Sequence, residues 1–205
     1  MRATAIILGV LLGTAVSGSQ TKHWTETSDE TIWHGRYKNC DHGYLVNLPP
    51  GVVGHNSLPP SPNHGILISA ENPGITSDVS PEEPRLIDVY DTNDAGELGS
   101  PGAYIEQYEL KPTETSERVT VLEQRATKFR GAPAMFIRLR KTNNVSTSEI
   151  EELVVYRRPK EIGPLFSIVL LRTTPEHYGE DHALYVQIRN GLEFIPVPEG
   201  ECSND

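Results

Sequence analysis

Residues 165–172 read Leu-Phe-Ser-Ile-Val-Leu-Leu-Arg, and this run constrains the fold more than any other. Phe166, Ile168 and Leu170 fall on one side of an extended chain, Val169 and Leu171 on the other. A strand that can show water neither side belongs inside a sheet covered on both faces. Its neighbours in sequence support that placement. Ala134 to Arg140 alternates, with Met135, Ile137 and Leu139 pointing one way and Arg138 and Arg140 the other. Ile150 to Arg157 and Arg118 to Phe129 read as further strands. Arg130-Gly131 and the stretch 142–148 are short enough to be hairpin turns, which implies antiparallel pairing.

The first third of the chain is broken more often. Tyr44 to Leu48 is a strand stopped by Pro49-Pro50-Gly51. Ile66 to Ser69 and Leu86 to Tyr90 are two more. Between them lie loops over 51–65, which holds Pro59-Pro60-Ser61-Pro62, and over 72–84; 91–99 is rich in turn residues. Ser100-Pro101 starts a helix, Ser as cap and Pro in the first turn, that can run to about Leu110. Thr173-Thr174-Pro175-Glu176 opens the last helix. On it Tyr178, His182, Tyr185, Ile188 and Leu192 share a face at spacings of three and four, and Gly191 is the stop. The reading is an α+β domain: a mostly antiparallel sheet of about six or seven strands, flanked by a short middle helix and a C-terminal helix. Its expected core is Met135, Ile137, Leu139, Val155, Phe166, Ile168, Leu170, Tyr185 and Ile188.

Residues 1–19 read as a secretory signal peptide: Arg2, an apolar run from Ala3 to Val16, then small residues. The run is shorter than the roughly 20 apolar residues that span a bilayer. Residues 20–39 follow as a flexible polar arm that docks through Trp24, Trp33 and Tyr37. The single domain covers 40–202. The expected location is secreted or periplasmic, with no membrane span once the leader is removed. The chain of 205 residues has a formal net charge of −10. Removing the leader, which carries one basic residue and no acid, lowers that charge by one more. Such a chain repels nucleic acid and anionic lipid. The two cysteines, Cys40 and Cys202, form a candidate disulfide in an exported protein. A bridge across so long a loop is worth about 5 kcal/mol by chain entropy.

No motif declares a reaction. His34, His42, His55 and His64 crowd the N-terminal third, and His42, His55 and His64 with Asp41 are the candidate metal ligands. Their spacing matches no zinc pattern, and Gly, Pro and Asn between them build loops rather than rigid supports. They are therefore expected to act separately. Asp91, Asn93 and Gly96 match three positions of a calcium loop, but Ala95 and Gly102 stand where two more ligands are needed. No Gly-x-Ser-x-Gly elbow occurs after the leader. His182, between Tyr178 and Tyr185 on its helix face, reads as a packed histidine. Asn144-Val145-Ser146 is a glycosylation sequon of consequence only in a eukaryotic secretory pathway. No catalytic residue and no cofactor is assigned.

The element order is three strands, a helix, four strands and a terminal helix. With Gly131-Ala132-Pro133-Ala134 entering a strand, the meander from Ala134 to Arg172 and the capped last helix, it resembles the PsbP and Mog1-like α/β/α sandwich over about 41 to 194. That resemblance implies a mostly non-catalytic protein that assists assemblies or binds partners. The expected function is an exported, non-catalytic binding or assembly-assisting protein of the cell envelope or extracellular space. Its partner is an unknown protein or small molecule. The alternative is a secreted hydrolase or metal-dependent enzyme using the histidine-rich 34–64 segment.

Overall fold

The computed structural model describes residues 32–56 and 65–197. The leader, Trp24, the Pro59–Pro62 run, His64 and Cys202 lie outside the described residues. Eleven strands and three helices occur in the order β1 (Ile32–His34), β2 (Arg36–Asn39), β3 (Tyr44–Asn47), β4 (Val53–Asn56), β5 (Gly65–Ser69), β6 (Leu86–Thr92), α1 (Ala95–Leu98), α2 (Pro101–Tyr108), β7 (Arg118–Phe129), β8 (Ala132–Thr142), β9 (Thr147–Arg157), β10 (Leu165–Thr173), α3 (Tyr178–Gly191) and β11 (Leu192–Phe194). The main sheet has eight strands in the order β1-β4-β5-β6-β10-β9-β8-β7, and a second has three, β11-β3-β2. Every pair is antiparallel.

β10 is an inner strand, between β6 and β9, and all its residues but Arg172 are buried. Its two faces separate two cores. On one, Phe166, Ile168 and Leu170 pack with Ile137, Leu139, Ile150 and Val154 beneath Tyr104 and Ile105 of α2. On the other, Val169 and Leu171 join Ile66, Ile68, Ile87 and Val89 beneath α3, whose Tyr185 and Ile188 meet Tyr44 and Val46 of the small sheet. Both helices therefore cover the sheet because β10 has no polar face to offer water.

The strand count corrects the expected six or seven. β1 and β2 fall within the segment read as a flexible arm. Trp33 anchors there, donating from Nε1 to Asn56 Oδ1 at 2.7 Å and meeting Tyr37 edge-on at 5.1 Å. β4 lies in a stretch read as loop because Gly54 and His55 look like turn residues. Gly54 is instead a place where side chains crowd: a Cβ would lie 3.2 Å from Ile66 Cδ1. Tyr44–Asn47 is a strand as expected, but it belongs to the small sheet. The turn-rich stretch 91–99 also holds the four-residue α1.

Helix boundaries follow local chemistry. Ser100 caps α2, its Oγ accepting from Ala103 N at 3.2 Å, with Pro101 first in the helix. α3 begins at Tyr178 rather than at Pro175, because Thr174–His177 forms a separate turn in which Thr174 Oγ1 and His177 Nδ1 are 2.9 Å apart. The helix ends at Gly191, where a Cβ would lie 2.3 Å from Asn47 O. Arg130, left-handed at φ 49 in the β7–β8 turn, donates to Asn190 O at 2.7 Å and Leu192 O at 3.2 Å. A cation on those last carbonyls suits the negative end of the helix.

Candidate functional site

One end of the main sheet carries a groove of about 630 Å³. The start of β8 delivers Ala132 and Pro133 there, the end of β9 delivers Tyr156 and Arg157, the following loop adds Arg158, Pro159 and Glu161, and the chain after β11 adds Ile195, Pro196 and Val197 beside Phe194. Residues more than sixty positions apart meet because β8 starts and β9 ends at the same end of the sheet, while β11 pairs with β3.

Arg157 forms the groove's inner wall and is only 7 % exposed. Its Nε donates to Ser167 Oγ at 2.7 Å, one terminal nitrogen to Gly43 O at 2.8 Å, and the other to His42 O at 2.5 Å and Asp91 Oδ2 at 2.8 Å. Its guanidinium also lies 4.2 Å from the Phe194 ring centroid. Burial pushes the Asp91 carboxyl up to about 7, with Arg157 and Ser167 pulling the other way. Arg158 differs. Its Nε donates to the Tyr156 hydroxyl at 2.6 Å, its guanidinium sits 5.3 Å from that ring, and its two terminal nitrogens take no partner among the described residues. The groove thus presents aromatic and proline surface with one open, planar cation at the rim.

The proposed metal residues are placed apart. His34 is exposed at the end of β1, and Asp41 is exposed in the turn after Cys40. His55 is buried in β4 with Nε2 2.9 Å from Ile75 O. His42 is buried with Nδ1 3.6 Å from Asp91 Oδ2. The described residues hold no group of three or more His, Cys, Asp or Glu side chains suited to a metal ion. The calcium-loop match does not survive the fold either: Asp91 is a buried β6 residue paired with Arg157, and Asp94 begins α1 and accepts from Tyr108. Ser167, His42 and Asp91 do come together. Ser167 is 1 % exposed and accepts from Arg157, so its hydroxyl is committed and closed to substrate.

A second polar cluster was missed in the sequence. Glu151 is 1 % exposed on the face under α3, where its Oε2 accepts from Tyr178 at 2.6 Å and lies 2.8 Å from His182 Nδ1. Arg138 stacks over Tyr178 at 3.6 Å and, with Arg140, binds Glu149, which those two arginines hold below the ordinary carboxylate range against the burial that raises it. The signal was available: Glu149, Glu151 and Glu152 occupy both faces of one strand, so at least one acid had to point inward.

No family model matches the sequence, and no curated protein matches it. Solved structures do match in shape. The solution structure of cyanobacterial PsbP from Synechocystis is 13 % identical, with a TM-score of 0.54 over 83 % of this chain and 96 % of that one. LpqN of Mycobacterium tuberculosis is 12 % identical, with a TM-score of 0.52 over 82 % and 94 %. The Ran-binding protein Mog1p of Saccharomyces cerevisiae is 12 % identical, at 0.47 over 78 % and 95 %. The chain has the PsbP fold. The expected sandwich resemblance therefore holds for architecture, and at this identity the likeness speaks for architecture alone.

Proposed function

We propose that the chain is an exported, non-catalytic binding module whose end groove takes an apolar segment of a protein partner that carries a carboxylate. The observation that carries this reading is the lining of the groove. Tyr156, Phe194, Pro133, Pro159 and Pro196 offer flat apolar surface, and the open fork of Arg158 suits a carboxylate. Arg157 cannot compete for that ligand, since all its nitrogens are committed inside. No serine, cysteine or histidine lines the groove among the described residues. The solved structures of like fold accord with the reading: one is a PsbP, the other is involved in cell envelope biogenesis. Among the described residues no helix is long and apolar enough to cross a membrane.

A Cys40–Cys202 bridge belongs to the same proposal. Cys40 is buried, and the chain after β11 runs beside its turn, with Ile195 N donating to Gly43 O at 3.0 Å. Cys202 is five positions beyond Val197, a reach of up to about 17 Å.

The test is selection of phage-displayed peptides on the purified protein, followed by mapping of amide shifts. Selected peptides are expected to combine a carboxylate with proline or aromatic residues and to shift 132–133, 156–159 and 194–197. Tyr156→Ala and Arg158→Glu abolish binding, and added salt weakens it. Peptides that map elsewhere, or hydrolytic turnover lost in His42→Ala, would overturn the reading in favour of an enzyme.

A further inference from the structure

The sheet face beneath α1 and α2 carries a row of side chains that its apolar surroundings do not explain. Register aligns Leu67, Asp88, Leu170, Glu152 and Ile137 across five adjacent strands, all on that face. Glu152 stands between Ile150 and Val154 on β9, two members of the core under Tyr104 and Ile105. It is 0 % exposed, and neither carboxyl oxygen has a hydrogen-bond partner. Across Leu170, Asp88 has one buried oxygen without a partner.

The groups around this row are few. From β8, Lys141 faces the same side, and it is committed to Glu109 at the C-cap of α2, Nζ to Oε2 at 3.1 Å. From β10, Arg172 donates to Pro81 O. From β6 and α2, Tyr90 and Tyr104 bond each other, hydroxyl to hydroxyl, at 3.0 Å. Asp94 at the start of α1 accepts from Tyr108. Three carboxyls, Asp88, Glu109 and Glu152, thus share the face with two cations that are both already engaged. A buried carboxylate with no donor costs several kcal/mol, whereas a carboxylic acid costs far less.

We infer that Glu152 and Asp88 form a proton-binding site, and that seating of α1–α2 on the sheet requires the site to hold a proton. The cap is the element free to respond. It is short, α1 has only four residues, and Gly99 in the left-handed region separates it from α2. β9 and β10, which hold the rest of the row, are inner strands of the sheet. Burial drives both acids in one direction. The Glu152 carboxyl is pushed well above its ordinary range, by burial first and then by Glu109, with Lys141 opposing. Burial likewise raises Asp88 to about 7, against Arg172. Protons held in the seated form and released in the open form make opening more favourable as pH rises. The slope is about tenfold in the opening constant per pH unit for each proton released.

The experiment is hydrogen–deuterium exchange on the full chain between about pH 5 and 8, corrected for intrinsic rates. Protection over 101–109 is expected to fall by about tenfold per pH unit across at least part of that span, while 165–171 in β10 stays protected. Glu152→Gln keeps size and polarity without the charge, and it should flatten most of the slope; Glu152→Gln with Asp88→Asn should remove it. An unchanged slope in the double variant, or no slope in the wild type, would overturn the inference. If the variants do not fold, the infrared carbonyl stretch of a protonated carboxyl at neutral pH decides, recorded in an Asp91→Asn background so that Asp91 contributes no band. Its presence, insensitive to solvent exchange, is expected; its absence refutes the proton site. None of these readouts involves the end groove.

Discussion

Replacing Arg157 by Met separates its charge from its stem. The methionine still packs on Phe194, but Asp91, Ser167 and the carbonyls of His42 and Gly43 lose their donor. Removing one partner of a buried ion pair costs about 3–5 kcal/mol when the other charge stays. Here Asp91 can escape by binding a proton, and the cost then depends on pH. An aspartate in the unfolded chain titrates near 4. The native Asp91, raised to about 7, therefore draws stability down between those values and levels off above 7. Without Arg157 its folded-state value moves higher still, so the decline continues past 7 at about 1.4 kcal/mol per pH unit. Well below pH 7, as at pH 5.5, Asp91 holds its proton in both folded proteins, and the loss is mainly that of hydrogen bonds, about 2–3 kcal/mol. By pH 8.5 it should reach about 4–5 kcal/mol. Urea denaturation at pH 5.5, 7 and 8.5 measures it. A second variant, Arg157→Met with Asp91→Asn, should show the low-pH cost at every pH. A cost below about 1 kcal/mol, or one that does not change with pH, would refute the account of Arg157 as the cation that lets Asp91 ionise.

Other outcomes follow from the same contacts. Leu170→Ala empties a site between β6 and β9 and should cost about 2–5 kcal/mol; under 1 kcal/mol would mean that the face is not packed as described. Ser100→Ala removes the cap on Ala103 N and should cost about 1 kcal/mol, read by denaturation, with exchange loosening confined to α2. Alkylation of exported protein unfolded in denaturant without reductant should modify neither Cys40 nor Cys202, and two reactive thiols would end the bridge proposal. Intact mass of the exported chain should place its N-terminus between Gly18 and Lys22; recovery at full length would end the leader reading.

What could be read from the sequence depended on how many residues had to agree. Phe166, Ile168 and Leu170 against Val169 and Leu171 fixed a strand covered on both faces, because alternation leaves no other way to bury them. Ser100-Pro101 worked for a similar reason: a cap and a fixed φ act within one turn. Tyr44–Asn47 could be read as a strand, but not as a member of the small sheet, since its partners Arg36–Asn39 and Leu192–Phe194 carry no pattern of their own. The groove was not legible at all. It joins Pro133, Arg158 and Pro196, and each looks like ordinary loop until register brings the three to one end.

The histidines and the buried acids of β9 both separate in space what the sequence puts side by side. A cluster in sequence is not a cluster in space when strands separate its members: His34, His42 and His55 lie on β1, in the β2–β3 turn and on β4. Glu149, Glu151 and Glu152 are neighbours on one strand, yet the pleat sends them to two cores. Each meets a different solution there. Glu149 takes two arginines, Glu151 takes a tyrosine and a histidine, and Glu152 takes nothing. The first two share the face under α3 with Arg138 and Arg140 of the adjoining strand β8. Glu152 lies under α2, where Lys141 is held by Glu109 instead. An acid left without a donor in an otherwise apolar face lowers stability unless it keeps its proton. The PsbP-like layering makes that proton necessary, because the strand that carries Glu152 is covered on both faces. The same covering that β10 demands for its apolar sides therefore imposes protonation on β9.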